Sequence, residues 1–312
     1  MTLYKRANLK LWNGRSSGKE LYWHEIVEAF NPEKAFKVDN RTIVFLGYQC
    51  DEGVRRNQGR PGTKKGPNAI RLQLGGLSNH FKVNTNLLDA GDIIVDDEDM
   101  EAGHEMVSQK VKDLLDIGAF PILFGGGHDL AYAHFSGLRR HIGDSSSIGI
   151  VNLDAHFDLR KPDSRSTSGT PFYEILSEDT LANYLCLGIQ KAANNAELFE
   201  AAHQFGVHYL NMYQYQLANW YHITAELSSF IDSVDHIYLT IDLDGFASAY
   251  APGVSAPSPM GFDPHLAYKT IQTVRSSGKL RSADIVELNP KYDIDNSTAR
   301  LAARMVHALA EG

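Results

Sequence analysis

Short runs of apolar and β-branched residues recur along the chain, separated by segments with helical periodicity. Several of these runs are almost continuously hydrophobic instead of alternating with polar residues, which is typical of parallel strands covered on both faces. The pattern predicts eight strands, at residues 41–48, 86–95, 121–127, 147–154, 184–189, 207–211, 236–244 and 281–288.

Three of the intervening segments have clear helical patterns. A helix over 100–118 has its apolar residues on one side, and another begins at Pro264, after a capping Asp263. A third, over 298–309, carries apolar residues at four-residue spacing. Because strands and helices alternate about eight times, we predict an α/β fold, a three-layer α/β/α sandwich around a mostly parallel sheet. We expect one domain over 1–312, with about the first forty residues packed on it as an N-terminal extension.

Composition narrows the function classes. The chain has 312 residues, 43% of them hydrophobic, and a formal net charge of -8. We expect no nucleic-acid partner, because phosphates have to be met by Lys and Arg. No apolar stretch reaches about eighteen residues and the start lacks the apolar segment of a secretory signal, so we expect neither a membrane span nor secretion. Cys50 and Cys186 cannot form a disulfide framework, and we expect reduced thiols in a cytoplasmic protein.

Polar residues collect where four of the predicted strands end. In open parallel sheets the carboxyl ends of the strands form the ligand crevice. Side chains two positions apart on a strand point to the same face, so the acidic and imidazole groups of one strand can converge there. Glycines 125–127 let the backbone approach closely and expose the next side chain. The residues concerned are His128, Asp154, His156, Asp158, Asp242, Asp244 and Glu287.

Four aspartates in one pocket need compensating charge. Each close pair of carboxylates costs about 4 kcal/mol at a separation of ~4 Å. Two divalent cations would balance the four charges, and the two histidines would add nitrogen ligands; such a donor set suits manganese, with zinc and iron as alternatives. Six ligands can serve two ions if Asp154 and Asp242 bridge them. A water between two such ions becomes a nucleophile near neutral pH.

Isolated residues of the same types have simpler interpretations. A single Asp at a strand end is usually a helix N-cap, which is our interpretation of Asp129 and Asp263. The joint occurrence of GGGH, DAHFD and DLD, each at a strand end, favours a metal site over unrelated caps. We interpret five other histidines as structural polar residues: His104, His134, His141, His222 and His307.

The motifs at the strand ends resemble those of the arginase and agmatinase superfamily, the ureohydrolases. They are GGGHD (125–129), NLDAHFD (152–158), IDLDGFASAYAPGVSAPSPMG (241–261) and ADIVELNP (283–290). The resemblance implies a three-layer α/β/α sandwich on a parallel eight-stranded sheet and two Mn²⁺ ions per subunit. It implies that one ion is held by His128, Asp154, Asp158 and Asp242, and the other by Asp154, His156, Asp242 and Asp244. It also implies hydrolysis of guanidines or amidines by a hydroxide that bridges the ions.

Two further segments are similar to the formimidoylglutamase branch of that superfamily. In STSGTPF, Ser168 stands where arginases and agmatinases carry a proton-shuttling His, and CDEGVRRNQGRPGTKKGPNAIR (50–71) is similar to the signature of the branch. The resemblance implies cleavage of N-formimidoyl-L-glutamate into L-glutamate and formamide in histidine degradation. The alternatives are another ureohydrolase, acting on guanidinobutyrate or agmatine, and a non-catalytic scaffold relative. Family members commonly associate, which leaves a homo-oligomer open.

The charge pattern agrees with a small substrate that has two carboxylates, as formimidoylglutamate does. Arg160 lies just beyond the DAHFD motif, and its guanidinium can clamp a carboxylate through two hydrogen bonds. The loop 55–65 offers Arg55, Arg56 and Arg60 for the other carboxylate, although a solvated surface cation explains each of them as well.

Two acidic residues have predicted catalytic roles. The resemblance implies that Glu287 faces the cationic head of the substrate, where a carboxylate can pair with a planar amidinium. Asp158, a metal ligand, is our candidate for passing a proton from the hydroxide to the leaving nitrogen. Ser168, with an ordered water, is a further candidate contact at the substrate.

Overall fold

The structure, a computed structural model, describes residues 2–32, 41–82, 84–96 and 98–311, in which strands alternate with helices. The strands are β1 (Thr2–Lys5), β2 (Glu28–Ala29), β3 (Arg41–Gln49), β4 (Thr85–Val95), β5 (Phe120–Phe124), β6 (Ile148–Leu153), β7 (Ala182–Ile189), β8 (His208–Asn211), β9 (His236–Asp242) and β10 (Leu280–Val286). The helices are α1 (Glu52–Arg56), α2 (Gly66–Leu74), α3 (Met100–Asp116), α4 (Leu130–Ile142), α5 (Pro171–Glu178), α6 (Ala196–Gln204), α7 (Trp220–Asp232), α8 (Pro264–Ser276) and α9 (Ser297–Ala310). The three helices predicted from periodicity correspond to α3, α8 and α9.

The ten strands described form one sheet, in the order β1-β4-β3-β5-β10-β9-β6-β7-β8, with β2 paired to β4. All strand pairs are parallel except that between β1 and β4. The eight predicted strands are all present as β3–β10. The sheet nevertheless has two more strands than predicted, because β1 and β2 are too short to produce a periodic signal.

Helices cover both faces of the sheet and complete the predicted three layers. Alternate residues of β3 point to opposite faces, as Phe45 packs in one hydrophobic cluster and Leu46 in the other. The cluster around Phe45 includes residues of α2, α7, α8 and α9, whereas the cluster around Leu46 includes residues of α3, α4, α5 and α6. Burial on both faces explains why the parallel strands are almost continuously apolar in sequence.

The N-terminal segment is joined to the edge of the sheet. Thr2 to Lys5 pair with Asp92 to Val95 of β4 in antiparallel register. Farther along, the indole Nε1 of Trp12 donates a 2.7 Å hydrogen bond to Oδ2 of Asp89, which also accepts from the buried guanidinium of Arg71. Part of the predicted extension therefore contributes a strand and a buried aromatic side chain to the sheet edge. Residues 33–40 lie outside the described residues.

Four neighbouring strands in the middle of the sheet, β5, β10, β9 and β6, carry the predicted polar strand ends. Their carboxyl ends lie at the same edge because the strands are parallel. The chain reaches these strands in a different order from their order in space. Residues that are far apart in sequence therefore follow adjacent strands.

Candidate metal centre

The loop after β5 brings His128 to the centre of the sheet edge. A side chain at Gly126 would place its Cβ 1.7 Å from the backbone oxygen of Cys50, so this close approach of two backbone segments requires glycine. The Gly126 carbonyl accepts a 2.9 Å hydrogen bond from the backbone N–H of Glu287. The loop is thereby fixed to the segment that follows β10.

The acidic residues after β6 converge through a turn and not through strand alternation. β6 ends at Leu153, and His156 donates its backbone N–H to Oδ1 of Asp154 at 2.7 Å. Asp158 has a left-handed backbone, with φ of 48°, which returns its side chain toward the site. The sequence argument from alternate strand positions was therefore wrong in its geometry here, although these side chains do meet.

A similar tight turn follows β9. Asp242 is the last residue of the strand, and residues 243–245 form a short 3₁₀ turn. The carboxylate Oδ1 of Asp242 accepts a 2.8 Å hydrogen bond from the backbone N–H of Asp244. This bond fixes one oxygen of Asp242 against the backbone and leaves Oδ2 directed at His128.

The six predicted ligand side chains form two groups that share Asp154. Within each group, one ligand atom of every residue lies within 4.8 Å of the others. The first group has His128, Asp154, Asp158 and Asp242, and the second has Asp154, His156 and Asp244. The first set equals the predicted one. The second lacks Asp242, so the bridging role of that residue stays a prediction.

Distances between the histidines and the aspartates are short. The Nδ1 atom of His128 lies 3.2 Å from Oδ2 of Asp154 and 3.0 Å from Oδ2 of both Asp158 and Asp242. In the second group, Nδ1 of His156 lies 3.5 Å from Oδ1 of Asp154 and 3.3 Å from Oδ1 of Asp244. Both imidazoles therefore present Nδ1 to the carboxylates.

The electrostatics of the cluster favour positive charge. Burial raises the pKa of Asp242 well above its ordinary value, and the neighbouring Asp244 and Asp154 raise it further. Burial also raises the pKa of Asp244, to about 7. Burial alone would lower the pKa of His128, but its contacts with three carboxylates raise it well above the ordinary value. The cluster of aspartates and histidines thus favours the binding of protons or cations.

The donor atoms fit a pair of divalent cations. Nδ1 of His128 and Oδ1 of Asp244 are buried, and although groups of opposite charge lie 3.0 and 3.3 Å from them, neither atom is in hydrogen-bond geometry with a described residue. Buried polar atoms are rarely left without a partner. Carboxylate oxygens together with imidazole nitrogens suit a hard or intermediate divalent ion. The side chains present therefore meet the requirements of a binuclear metal site.

Glu287 lies beside the metal-ligand cluster. Its backbone is left-handed, with φ of 67°, and its Oε1 accepts a 3.0 Å hydrogen bond from the backbone N–H of His128. Burial raises the pKa of its carboxyl group well above the ordinary value, and Asp242 contributes to the rise. A substrate cation would offset the unfavourable free energy of a buried negative charge on Glu287.

The predicted substrate-binding arginines differ in their surroundings. The exposed guanidinium of Arg160 donates one hydrogen bond, of 3.1 Å, from Nη1 to Oδ1 of Asn57. The Arg55 side chain is 51% exposed and pairs with Glu52 at 2.7 Å. Arg55 lies on α1 and Arg160 contacts Asn57 just after it, and the binding of substrate by these two arginines stays a prediction.

Arg56 and Arg60 have their donors directed at other parts of the protein. The side chain of Arg56 is only 7% exposed and contacts the carboxylates of Glu52 and Glu101 at 2.8 and 2.7 Å. Arg60 donates from Nε to the carbonyl of Ser255 at 2.8 Å, and its guanidinium stacks over the Tyr292 ring at 3.8 Å. These contacts explain both cations structurally, so their proposed contact with substrate has no support in their positions.

Ser168 is buried, and its backbone N–H donates to the carbonyl of Gly53 at 3.1 Å. The backbone N–H of Arg160 donates to the carbonyl of the next residue, Gly169, at 2.9 Å. The segments around Arg160, Ser168 and α1 therefore pack together on one side of the site.

Both predicted residues occupy helix N-cap positions, but only one of them makes a capping hydrogen bond. Asp263 caps α8, because its Oδ1 accepts from the backbone N–H of His265 at 2.7 Å. Asp129 precedes α4 but makes no capping hydrogen bond. Its Oδ2 instead accepts from the hydroxyl of Tyr48 at 2.9 Å and lies 3.2 Å from Nε2 of His104. Sequence spacing does not reveal these two partners, because both come from distant elements.

Several buried polar residues around the ligands were not predicted. Asn152 donates from Nδ2 to Oδ2 of Asp154 at 3.0 Å and to the hydroxyl of Tyr184 at 2.9 Å. Thr240 and Asp284 lie behind His128. All are strand residues, and a polar residue within an apolar run was the signal that could have identified them.

Comparisons with known proteins agree with this fold and site. Residues 41–311 match the protein family described as "Arginase family", and the chain belongs to that family. It is 39% identical to a formimidoylglutamase of Aeromonas salmonicida (strain A449), over 100% of both chains, and 41% identical to one of Ralstonia nicotianae, over 99% of this chain and 97% of that relative. A crystal structure of Trypanosoma cruzi formiminoglutamase with Mn²⁺ superposes with a TM-score of 0.76 and 28% identity, covering 89% of this chain and 96% of that one.

Within the described ranges, no helix has both the length and the hydropathy needed to cross a membrane.

Proposed function

We propose that the chain hydrolyses N-formimidoyl-L-glutamate to L-glutamate and formamide, a reaction of histidine degradation, with two Mn²⁺ ions as cofactors. The observation that carries the proposal is the position of Glu287, a buried carboxylate beside two groups of metal-ligand side chains. Identity of about 40% over the full length with formimidoylglutamases supports the choice of substrate.

Glu287 binds the amidinium group of the substrate. Its Oε1 is held by the backbone N–H of His128, which orients the carboxylate and leaves Oε2 for a donor from the substrate. A charge-assisted hydrogen bond in a buried site is stronger than a neutral one. The substrate cation also offsets the negative potential that Asp242 imposes on Glu287.

The six side chains would hold the ions through the carboxylate oxygens of four aspartates and Nδ1 of His128 and His156. When bound, divalent cations supply Lewis acidity and lower the pKa of water toward neutrality. Manganese is the preferred ion because the donor set is rich in oxygen and has no thiolate. The T. cruzi relative, whose structure contains Mn²⁺, supports the same choice.

Asp158 moves the proton during the reaction. Its side chain is 16% exposed, whereas those of Asp154 and Asp242 are 0% and 2% exposed. Asp158 is thus the aspartate of the first group that a substrate can best reach. Its carboxylate accepts a proton from the attacking water and returns it to the glutamate nitrogen as the carbon–nitrogen bond breaks, which yields formamide and glutamate.

Arg160 binds a carboxylate of the substrate. Its guanidinium is exposed, carries donors beyond the one used on Asn57, and follows the turn that contains Asp158. Arg55 is the second candidate because half of its side chain is exposed. Arg56 and Arg60 are the weaker candidates of the four, and Ser168 contributes packing and a polar group beside Arg160.

The reduced state of two buried cysteines, Cys50 and Cys186, supports a cytoplasmic location. Their pKa values are raised by burial, which keeps both thiols protonated and unreactive. Neither thiol has a part in the proposed reaction.

A turnover assay after manganese loading tests the proposal. Formamide and glutamate released in equal amounts from formimidoylglutamate are the expected result. Release of urea from guanidinobutyrate or agmatine, with no formamide, would assign the chain to a different ureohydrolase activity. Stoichiometric Mn²⁺ binding without hydrolysis of any amidine or guanidine would instead identify a scaffold relative.

A further inference from the structure

A buried hydrogen-bonded chain extends behind His128, away from the aspartates of the metal site. The imidazole Nε2 of His128 lies 3.0 Å from Oγ1 of Thr240 on β9, and that hydroxyl donates a 2.6 Å hydrogen bond to Oδ1 of Asp284 on β10. All three residues are fully buried. Solvent therefore cannot substitute for any of these bonds.

Both oxygens of the Asp284 carboxylate are occupied. Oδ2 accepts from the hydroxyl of Tyr238, and it lies 2.6 Å from Nδ1 of His134 on α4. An ionised carboxylate offers acceptors only. Asp284 thus has a donor on each oxygen, with Thr240 as the partner on the side of the metal site.

The number of available hydrogens determines which group donates in each of these hydrogen bonds. A threonine hydroxyl has one hydrogen, and Thr240 gives it to Asp284 because a carboxylate cannot donate. Thr240 can then only accept from His128, so Nε2 of His128 must carry a hydrogen. This holds whatever the protonation of Nδ1, and Nδ1 is the nitrogen that faces the three carboxylates.

We propose that Thr240 and Asp284 are positioning residues that keep the hydrogen of His128 on Nε2 and so reserve Nδ1 for a metal ion. A ligand histidine whose other nitrogen is fixed by a hydrogen bond binds metal more tightly, because its tautomer and ring orientation are already set. The inference deepens the proposed function and rests on the metal site assigned there. It adds two strand residues, which reach the metal site through His128.

The test compares Thr240→Val with Thr240→Ser. Valine has nearly the shape of threonine but cannot accept from His128, whereas serine retains the hydroxyl. Thr270→Val is the matched control, because Thr270 is a fully buried threonine whose hydroxyl contacts Tyr215 at 2.8 Å. Manganese affinity is measured by competition with a chelator, and thermal denaturation verifies that each variant folds.

We expect Thr240→Val to weaken manganese binding about 10–100-fold, as the loss of an outer-shell partner does. Thr240→Ser and Thr270→Val should bind like the unaltered protein. Unchanged affinity in folded Thr240→Val would overturn the proposal, because the hydroxyl would then contribute only packing. An equal loss in Thr270→Val would overturn it too, since a general loss of stability would explain both.

Spectroscopy of the unaltered protein provides a readout that does not depend on any variant. In protein loaded with diamagnetic Zn²⁺, the Nε2 proton of His128 should give a slowly exchanging, downfield resonance. A resonance that places the hydrogen on Nδ1 would refute the inferred arrangement. Failure to hydrolyse formimidoylglutamate would reject the proposed function but leave both of these measurements valid.

Asp284→Asn tests the role of Asp284, the residue farthest from the metal site in the hydrogen-bonded series, through a double-mutant cycle. If Asp284 acts through Thr240, the pair Thr240→Val and Asp284→Asn should weaken manganese binding no more than Thr240→Val alone. Additive losses would show that Asp284 acts independently of Thr240, which would contradict the proposed action of Asp284 through the threonine hydroxyl.

Discussion

The Nδ1 atom of His128 lies 3.0 Å from Oδ2 of Asp242, although one residue follows β5 and the other ends β9. The contact joins two strands that are separated in the sheet by β10, which itself ends next to Glu287. A metal ion bound between these atoms would therefore connect elements from both halves of the chain.

Loss of Asp242 should empty the metal site. Asp242→Ala removes a buried ligand, so we expect at least a 100-fold loss of manganese affinity and of activity at limiting metal, roughly the upper effect of an outer-shell change. Metal analysis after dialysis measures the loss of manganese, and formamide release measures the loss of activity. Asp263→Ala, which removes the cap of α8, is the control and should retain stoichiometric metal. Full metal content in Asp242→Ala would contradict the assignment.

Loss of the Glu287 charge should separate substrate binding from metal binding. Glu287→Gln retains an oxygen that can accept from the His128 backbone but removes the negative charge. We expect kcat/KM to fall about 10–100-fold, the equivalent of losing one charged hydrogen bond of about 1.5–3 kcal/mol. Metal content should not change. A variant that loses manganese together with activity would show that Glu287 acts on the metal site instead.

Arg160 should contribute to substrate binding more than a neighbouring cation does. Arg160→Gln is expected to raise the KM for formimidoylglutamate about 10–100-fold through loss of a charged contact. Arg165→Gln is the matched control, since Arg165 is exposed in the same segment and pairs with Glu98 and Glu101 at 3.7 Å. Steady-state kinetics measure both. Equal changes in the two variants would indicate a general effect of positive charge near the site.

The metal-free protein should lose stability as the pH rises. The native state holds the proton of Asp244 up to about pH 7, whereas the unfolded chain releases it near pH ~4. The native state thus binds more protons between these values, and the free energy of unfolding falls with rising pH. From about pH 5.5 to about pH 7.5, the titration of Asp244 alone should lower the free energy of unfolding by about 2 kcal/mol.

Denaturant titrations of protein treated with chelator measure this pH dependence. The elevated pKa of His128 acts in the same direction, because its stabilising proton is also lost as the pH rises. Asp244→Asn should reduce the slope. Saturating Mn²⁺ should reverse it, since deprotonated ligands bind metal better. A metal-free protein that becomes more stable over this interval would contradict the described electrostatics.

Much of the fold and of the site could be predicted from the sequence. Continuous apolar runs identified the parallel strands, because burial on both faces leaves few polar positions in β5 or β6. The same burial makes polar residues at strand ends conspicuous. Parallel strands then bring those ends to one edge of the sheet, which is why the sequence alone predicts that His128 and Asp154 lie together.

The parts that could not be predicted depend on contacts between distant segments. Asp129 looked like a helix cap, but it accepts from Tyr48, which lies on another strand. The ion pair between Arg56 and Glu101 of α3 could not be predicted either. Local spacing carries no information on such partners. The short strand β1 was missed for a related reason, because four residues gain stability only by pairing with β4.

The strand order of the sheet also has a consequence for how the protein would acquire metal ions. The residues that would hold the first ion come from the end of β9 and from turns after β5 and β6, and β9 lies between β6, which precedes it in the chain, and β10, which follows it. During synthesis, an emerging polypeptide has an incomplete coordination shell until β9 has left the ribosome and entered the sheet. Capture of a metal ion at this site would therefore be a late event in biogenesis, and an interrupted chain would have little means of retaining the ion.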